Sequence, residues 1–112
     1  MASLAYTFVR GVIVKEPELR IVGENQKVAI LTLAVNHSRK KESVSFFSIE
    51  AWGKNAEICS KHLKKGARVT ILGDLRQDRW TDDKGEIHSR TKIIARQIHL
   101  ESQTRKIQKQ VA

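Results

Sequence analysis

The run Trp52-Gly53-Lys54-Asn55-Ala56-Glu57-Ile58-Cys59-Ser60-Lys61-His62-Leu63-Lys64-Lys65-Gly66 holds the one convincing helical signal in a chain that otherwise reads as strands. Ala56, Cys59 and Leu63 recur three and four residues apart, the spacing that gathers side chains onto one face of a helix. Asn55 is expected at the N-cap, where its side-chain oxygen would accept a hydrogen bond from an unpaired first-turn amide. Glu57 suits the positive end of the helix dipole. Lys64 and Lys65 are expected in the last turn, with Gly66 as the stop. The predicted helix is about three turns long.

Strand patterns lie on both sides of it. Upstream, Phe8 to Val14 is rich in Val and Ile, and Gly11 inside it marks a bulge or a close backbone approach. Glu16-Pro17-Glu18 interrupts the pattern, since proline cannot donate to a sheet ladder. In Lys27 to Asn36, Val28, Ile30 and Thr32 share one face, and Ala29, Leu31, Leu33 and Val35 the other. Apolar residues on both faces put this strand in the middle of a sheet. The charged loop Arg39-Lys40-Lys41-Glu42 leads to a third strand, about Ser43 to Trp52. Downstream of the helix, Arg68 to Leu75 is a fourth strand, Asp82-Asp83-Lys84-Gly85 a hairpin turn, and Ile87 to Leu100 a fifth strand. Five strands with one short helix between the third and fourth is the order of a mainly β OB-fold, a partly open Greek-key barrel. That domain is expected over residues 1–100, followed by a polar, basic tail over 101–112.

Lys and Arg total 21 against 12 acidic residues, a formal net charge of +9 on 112 residues. That length is one domain, and 40% hydrophobic residues suffice for one modest core. So large a cationic surplus predicts an anionic partner. The single cysteine, Cys59, excludes an internal disulfide framework. Met1 to Tyr6 lacks a cationic start before a long apolar run, and Phe8 to Val14 is short and contains Arg10. Neither a signal peptide nor a membrane span is expected, which points to a soluble, intracellular protein. With no long amphipathic segment, nucleic acid fits the charge better than a membrane surface.

A binder of unpaired strands needs aromatic faces for bases and cations for phosphates. Aromatic residues are scarce here (three Phe, two Trp and one Tyr), so their placement is informative. Phe46, Trp52 and Trp80 each sit among polar or charged neighbours, and Trp80 stands beside the hairpin tip. Phe46 and Phe47 are adjacent on a strand and must point to opposite faces, so one of them is core. The residues alone leave that choice even. Trp52, at a strand end, reads either as a lid on the core or as an exposed platform. Interleaved with these rings are Lys54, Lys64, Lys65, Arg68, Arg76, Arg79, Arg90, Lys92 and Arg96. Arg pairs with phosphate and stacks on bases, whereas Lys acts as a point charge.

Catalysis finds no matching pattern. Gly53-Lys54 lacks the preceding glycine of a phosphate-cradling loop. Cys59 and His62 lack two further ligands at metal spacing, and His37, His88 and His99 are scattered. Asp82 and Asp83 belong to a turn, where carboxylates are ordinary. No metal, cofactor or enzyme activity is expected.

Taken together, the chain resembles the bacterial single-stranded DNA-binding protein family from about Phe8 to Leu100. The resemblance rests on an ordered set: Glu16-Pro17-Glu18-Leu19-Arg20, Leu31-Thr32-Leu33-Ala34, and Trp52-Gly53-Lys54 followed by Ala56-Glu57. It continues through Leu63-Lys64-Lys65-Gly66, Gly73-Asp74-Leu75-Arg76, and Trp80-Thr81-Asp82 with Gly85. The resemblance implies sequence-independent binding and protection of single-stranded DNA in replication, recombination and repair, by a homotetramer in the cytoplasm at the nucleoid. Carried over by position, Phe46, Trp52 and Trp80 would stack bases, and Lys54, Lys65, Arg76 and Arg79 would line the strand's path. It also breaks the tie at Phe46, which would face DNA, and places Phe47 at a subunit contact.

Departures accompany the match. A tryptophan frequent after the second strand is replaced near Arg39, Ser48 stands where a basic residue is frequent, and Val14 replaces a glycine. The family ends in a linker and an acidic tip that recruits replication and repair enzymes. Here the sequence stops at Ala112 in a basic segment, as a piece of a longer chain or a paralogue without that route would. The alternative reading is a primosomal-type OB-fold adaptor, a dimer working through protein contacts, which could dispense with Trp80.

Overall fold

Alternating burial along one central strand organises the computed structural model, which describes residues 3–37 and 43–101. The strands are β1 (Tyr6–Ile13), β2 (Glu18–Val22), β3 (Gln26–Asn36) and β4 (Val44–Trp52). Helix α1 (Lys54–His62) follows, then β5 (Arg68–Thr81) and β6 (Ile87–Leu100). The charged loop expected at Arg39 to Glu42, and the tail beyond Glu101, lie outside the described residues.

All strands join one six-stranded sheet in the order β1-β5-β6-β4-β3-β2, and a further β1–β3 pairing closes β1, β5, β6, β4 and β3 into a ring. Neighbours in the ring are antiparallel except β4 and β6, which pair in parallel through Ser48–Lys92, Ile49–Ile93 and Glu50–Ile94. This is the OB-fold barrel. Its interior is filled by side chains that alternate inward along each strand. Leu31 and Leu33 from β3, Ile49 and Ala51 from β4, Ile71 from β5 and Ile93 from β6 are all nearly inaccessible. Ala56, Cys59 and Leu63, the stripe read from the sequence, are buried too and join this core from α1 and its C-cap.

Closure requires backbones to approach closely at two glycines. A Cβ on Gly11 would overlap the Ala34 carbonyl where β1 bends toward β3, and one on Gly73 would overlap the Ile94 carbonyl beside a bulge in the β5–β6 ladder. The approach expected at Gly11 is therefore present.

Several local expectations differ. Asn55 is not the cap: Gly53 precedes the helix with no side-chain cap, and Asn55 Nδ2 instead donates to the Ala95 and Arg96 carbonyls, fastening α1 to β6. The helix ends at His62, so Lys64 and Lys65 lie past its last turn. A strand absent from the sequence reading, β2, pairs with β3 outside the ring. All five of its residues are exposed, so it has no buried face to advertise it. Finally, β5 runs six residues beyond Leu75 to Thr81. From Leu75 both faces are solvated, so the burial signal stops while the backbone ladder to β6 continues to the turn. The result is a two-stranded arm projecting from the barrel.

Candidate nucleic-acid interface

On β4 the inward residues are Phe47, Ile49 and Ala51, so Phe46, Ser48, Glu50 and Trp52 face outward. Phe46 is 64% exposed and Trp52 38%. Phe47 packs partly against the core, which settles the orientation of the Phe46–Phe47 pair. Lys92, paired with Ser48, continues the outer face onto β6. Arg76 is paired with Lys92, and β5 carries it on through Asp78 to Trp80 by two-residue steps. Phe46, Trp52 and Trp80 therefore stand on one continuous outer surface. Phe46 and Trp52 are six residues apart on a single strand, about 20 Å.

Trp80 is 44% exposed near the arm's tip. Its cross-strand partner is His88, whose ring stacks on the indole at 5.6 Å between centroids and 23° between planes. The Arg90 guanidinium carbon lies 5.8 Å from the indole centroid, a cation–π distance. Asp82 holds the turn beyond. Its Oδ1 accepts from the Lys84 and Glu86 amides, each at 2.9 Å, and its Oδ2 lies 2.7 Å from His88 Nε2. The bond from His88, with support from these amides, keeps the Asp82 carboxyl below the usual carboxylate range. Asp82, Glu86 and His88 offer ligand atoms within 4.8 Å of one another, but the Asp82 carboxylate is already engaged in the turn.

Trp52 also walls an open cleft of about 500 Å³, lined by Asn25 of the β2–β3 turn, Gln26 and Lys27 at the start of β3, and Gly53, Lys54 and Glu57 at the start of α1. Lys27 Nζ donates to Glu57 Oε1 at 3.0 Å there, holding the Glu57 carboxyl below its ordinary value. Lys54 thus lies beside Trp52, as the sequence spacing implied.

The cations divide into two sets. Lys92 is bonded to Glu50 and Asp78, and Arg96 to Asp74, so both are engaged within the sheet. Lys54, Lys65, Arg76 and Arg79 make no ion pair with the described residues. They are not all together, however. Arg76 shares the face of Trp80, while Arg79, one residue off that register, points to the arm's other side. Lys65 follows the helix, where its amide meets Glu16 Oε1 at 3.4 Å, at the opposite end of β5 from Trp80.

Sequence reasoning counted Arg90 among the cations interleaved with the rings but missed His88 and Glu50 as parts of this surface. His88 was one residue out of reach: a turn of Asp82 to Gly85 alone would set Trp80 opposite Ile87, and the extra loop residue Glu86 shifts the register to His88. Alternation along β4 already sets Glu50 on the face of Phe46 and Trp52, but its tie to Lys92, 42 residues away in sequence, depends on the β4–β6 pairing.

Comparison with known proteins agrees with this geometry. Residues 5–101 match the Single-strand binding protein family. A single-stranded DNA-binding protein of Treponema pallidum is 31% identical over 105 residues, 89% of this chain and 59% of that protein. One from Thermus thermophilus is 36% identical over 106 residues, 93% of this chain and 39% of that protein. The chain thus spans less than two thirds of the length of these relatives. Among solved structures, the Plasmodium falciparum SSB complex with ssDNA superposes with a TM-score of 0.79 at 23% identity, over 91% of this chain and 98% of that one, a likeness of fold. With the match running from the first ring strand to the end of the last, the chain belongs to the single-strand binding protein family.

Proposed function

We propose that this chain binds single-stranded DNA without reading its sequence, coating and protecting it, and does no chemistry on it. The observation that carries this is the shared outer surface on which Phe46, Trp52 and Trp80 stand exposed. Every base has a π-face, so stacking on such rings is sequence-tolerant. Lys54, Lys65, Arg76 and Arg79 neutralise phosphates, and the absence of a close ion pair to any of them among the described residues supports that role. Lys65 and Arg79, away from the aromatic surface, serve a strand that wraps around the domain rather than crossing one face. Phe47, partly accessible beside the core, contributes to a subunit contact in a homotetramer.

Titration with oligo-dT at low salt tests the reading. Tryptophan emission is expected to be quenched, and Trp80→Ala to weaken binding by roughly 1–3 kcal/mol. Absence of quenching, or equal affinity for duplex and single strand, overturns it. An adaptor would show neither quenching by oligo-dT nor a change of affinity with Trp80→Ala.

A further inference from the structure

Acidic side chains are out of place on a surface meant for a polyanion, yet Glu50 stands between Ser48 and Trp52 on it, with Asp78 two residues before Trp80. Both are tied to the same cation. Lys92 Nζ donates to Glu50 Oε2 at 2.9 Å and to Asp78 Oδ2 at 2.8 Å, and the Lys92 side chain is only 16% exposed. The other oxygen of Glu50 accepts from Trp52 Nε1 at 3.2 Å. A polar chain therefore runs from the Trp52 indole through Glu50 and Lys92 to Asp78, crossing from β4 over β6 to the strand that carries Trp80. The Asp78 and Glu50 carboxylates hold the Lys92 ammonium above its ordinary range, as bonds to a committed cation should.

We propose that Glu50 is a positioning residue for base stacking: it fixes the edge of the Trp52 indole and, through Lys92, sets that platform against the arm. Lys92 is accordingly a bracket rather than a phosphate contact. This inference rests on the stacking role proposed above. The physical ground is preorganisation. A half-exposed indole free to rotate must be ordered each time a base stacks on it, whereas one held by its N–H meets the base already oriented. Glu50 is suited to the task because one carboxylate accepts from both Trp52 and Lys92. Ile30 and Ile94, its neighbours across the sheet, offer no competing donor side chain.

The sign of a single substitution discriminates. If Glu50 were only an unfavourable charge near DNA, Glu50→Ala would tighten binding. As a positioning residue, its loss should weaken binding to oligo-dT roughly three- to tenfold despite removing a negative charge. Glu50→Gln, which keeps an oxygen for the indole N–H, should recover part of that loss. In a Trp80→Phe background, emission reports Trp52 alone. Its anisotropy in the free protein should fall with Glu50→Ala and less with Glu50→Gln. Lys92→Gln should weaken binding yet leave the salt dependence unchanged, whereas loss of a phosphate contact would shallow the log–log slope by about 0.7. Equal or tighter binding by a folded Glu50→Ala, unchanged Trp52 anisotropy, or a shallower slope with Lys92→Gln each overturns the inference. Should Glu50→Ala fail to fold, the anisotropy and slope of Lys92→Gln decide. If the wild-type protein binds no oligonucleotide, the function proposed above fails instead, and the free-protein anisotropy still tests the Glu50–Trp52 tie.

Discussion

Gly73 shows how little room the barrel leaves at a single residue. Its Cα faces the Ile94 carbonyl beside the ladder's bulge, and any Cβ would overlap backbone that cannot rotate away. Gly73→Ala should destabilise the fold by roughly 1–3 kcal/mol, the usual cost of overpacking, seen as a lower urea midpoint at unchanged m-value. Cys59 is constrained differently. Burial disfavours the thiolate and pushes the thiol from 9.0 to about 11. At pH 8 an aromatic disulfide reagent should therefore modify native protein only as fast as the chain opens; immediate stoichiometric labelling would contradict this. Because the folded value is the higher one, this group's contribution to stability is complete below about pH 9 and declines as pH rises toward about 11. The core position of Cys59 was legible from helical spacing. The role of Asn55 was not, because a good capping residue can also bond a distant carbonyl, and only the packing of α1 on β6 selects between them.

Among the elements, the β5–β6 arm depends most on its turn. Asp82 gathers the Lys84 and Glu86 amides and the His88 ring, so Asp82→Ala should speed hydrogen exchange of those amides while the barrel's buried amides keep their protection. Acid should do likewise. The folded carboxyl lies below its ordinary 3.8, so its contribution is present above that value and is lost as pH falls through the lower folded one. Exchange at Lys84 and Glu86 unaffected by Asp82→Ala would place the turn's stability elsewhere. The turn itself was legible as Asp82-Asp83-Lys84-Gly85. The arm was not: alternation reports burial, and where both faces are wet it falls silent although the backbone pairing persists. The same reason hides β2, an edge strand with no buried face.

For the molecule as a whole, the separation of engaged from unengaged cations predicts its response to salt. If Lys54, Lys65, Arg76 and Arg79 each neutralise one phosphate, log affinity should fall against log salt with a slope of about −3 per protomer, roughly −0.7 for each contact. Arg76→Ala should shallow that slope, while Arg96→Gln, whose guanidinium is held by Asp74 at 2.8 Å, should not. An identical change in the two would show that ion pairing within the sheet does not govern which cations meet DNA. Light scattering is expected to give a particle of four chains of 12.8 kDa, and a dimer would favour an adaptor assembly.

The sequence by itself determined the five ring strands, the helix between the third and fourth, the cationic surplus and the three aromatic residues beside polar neighbours. Each of these is written in local period, turn chemistry or composition. Only the tertiary structure decided that Phe46, Trp52 and Trp80 share one surface, that Lys92 and Arg96 are held by carboxylates, and that Lys65 and Arg79 lie off the aromatic face. These facts arise from pairings such as Ser48 with Lys92 and Arg76 with Lys92. A side chain's neighbours across a sheet are set by register and closure, which link residues far apart in sequence and leave no local trace.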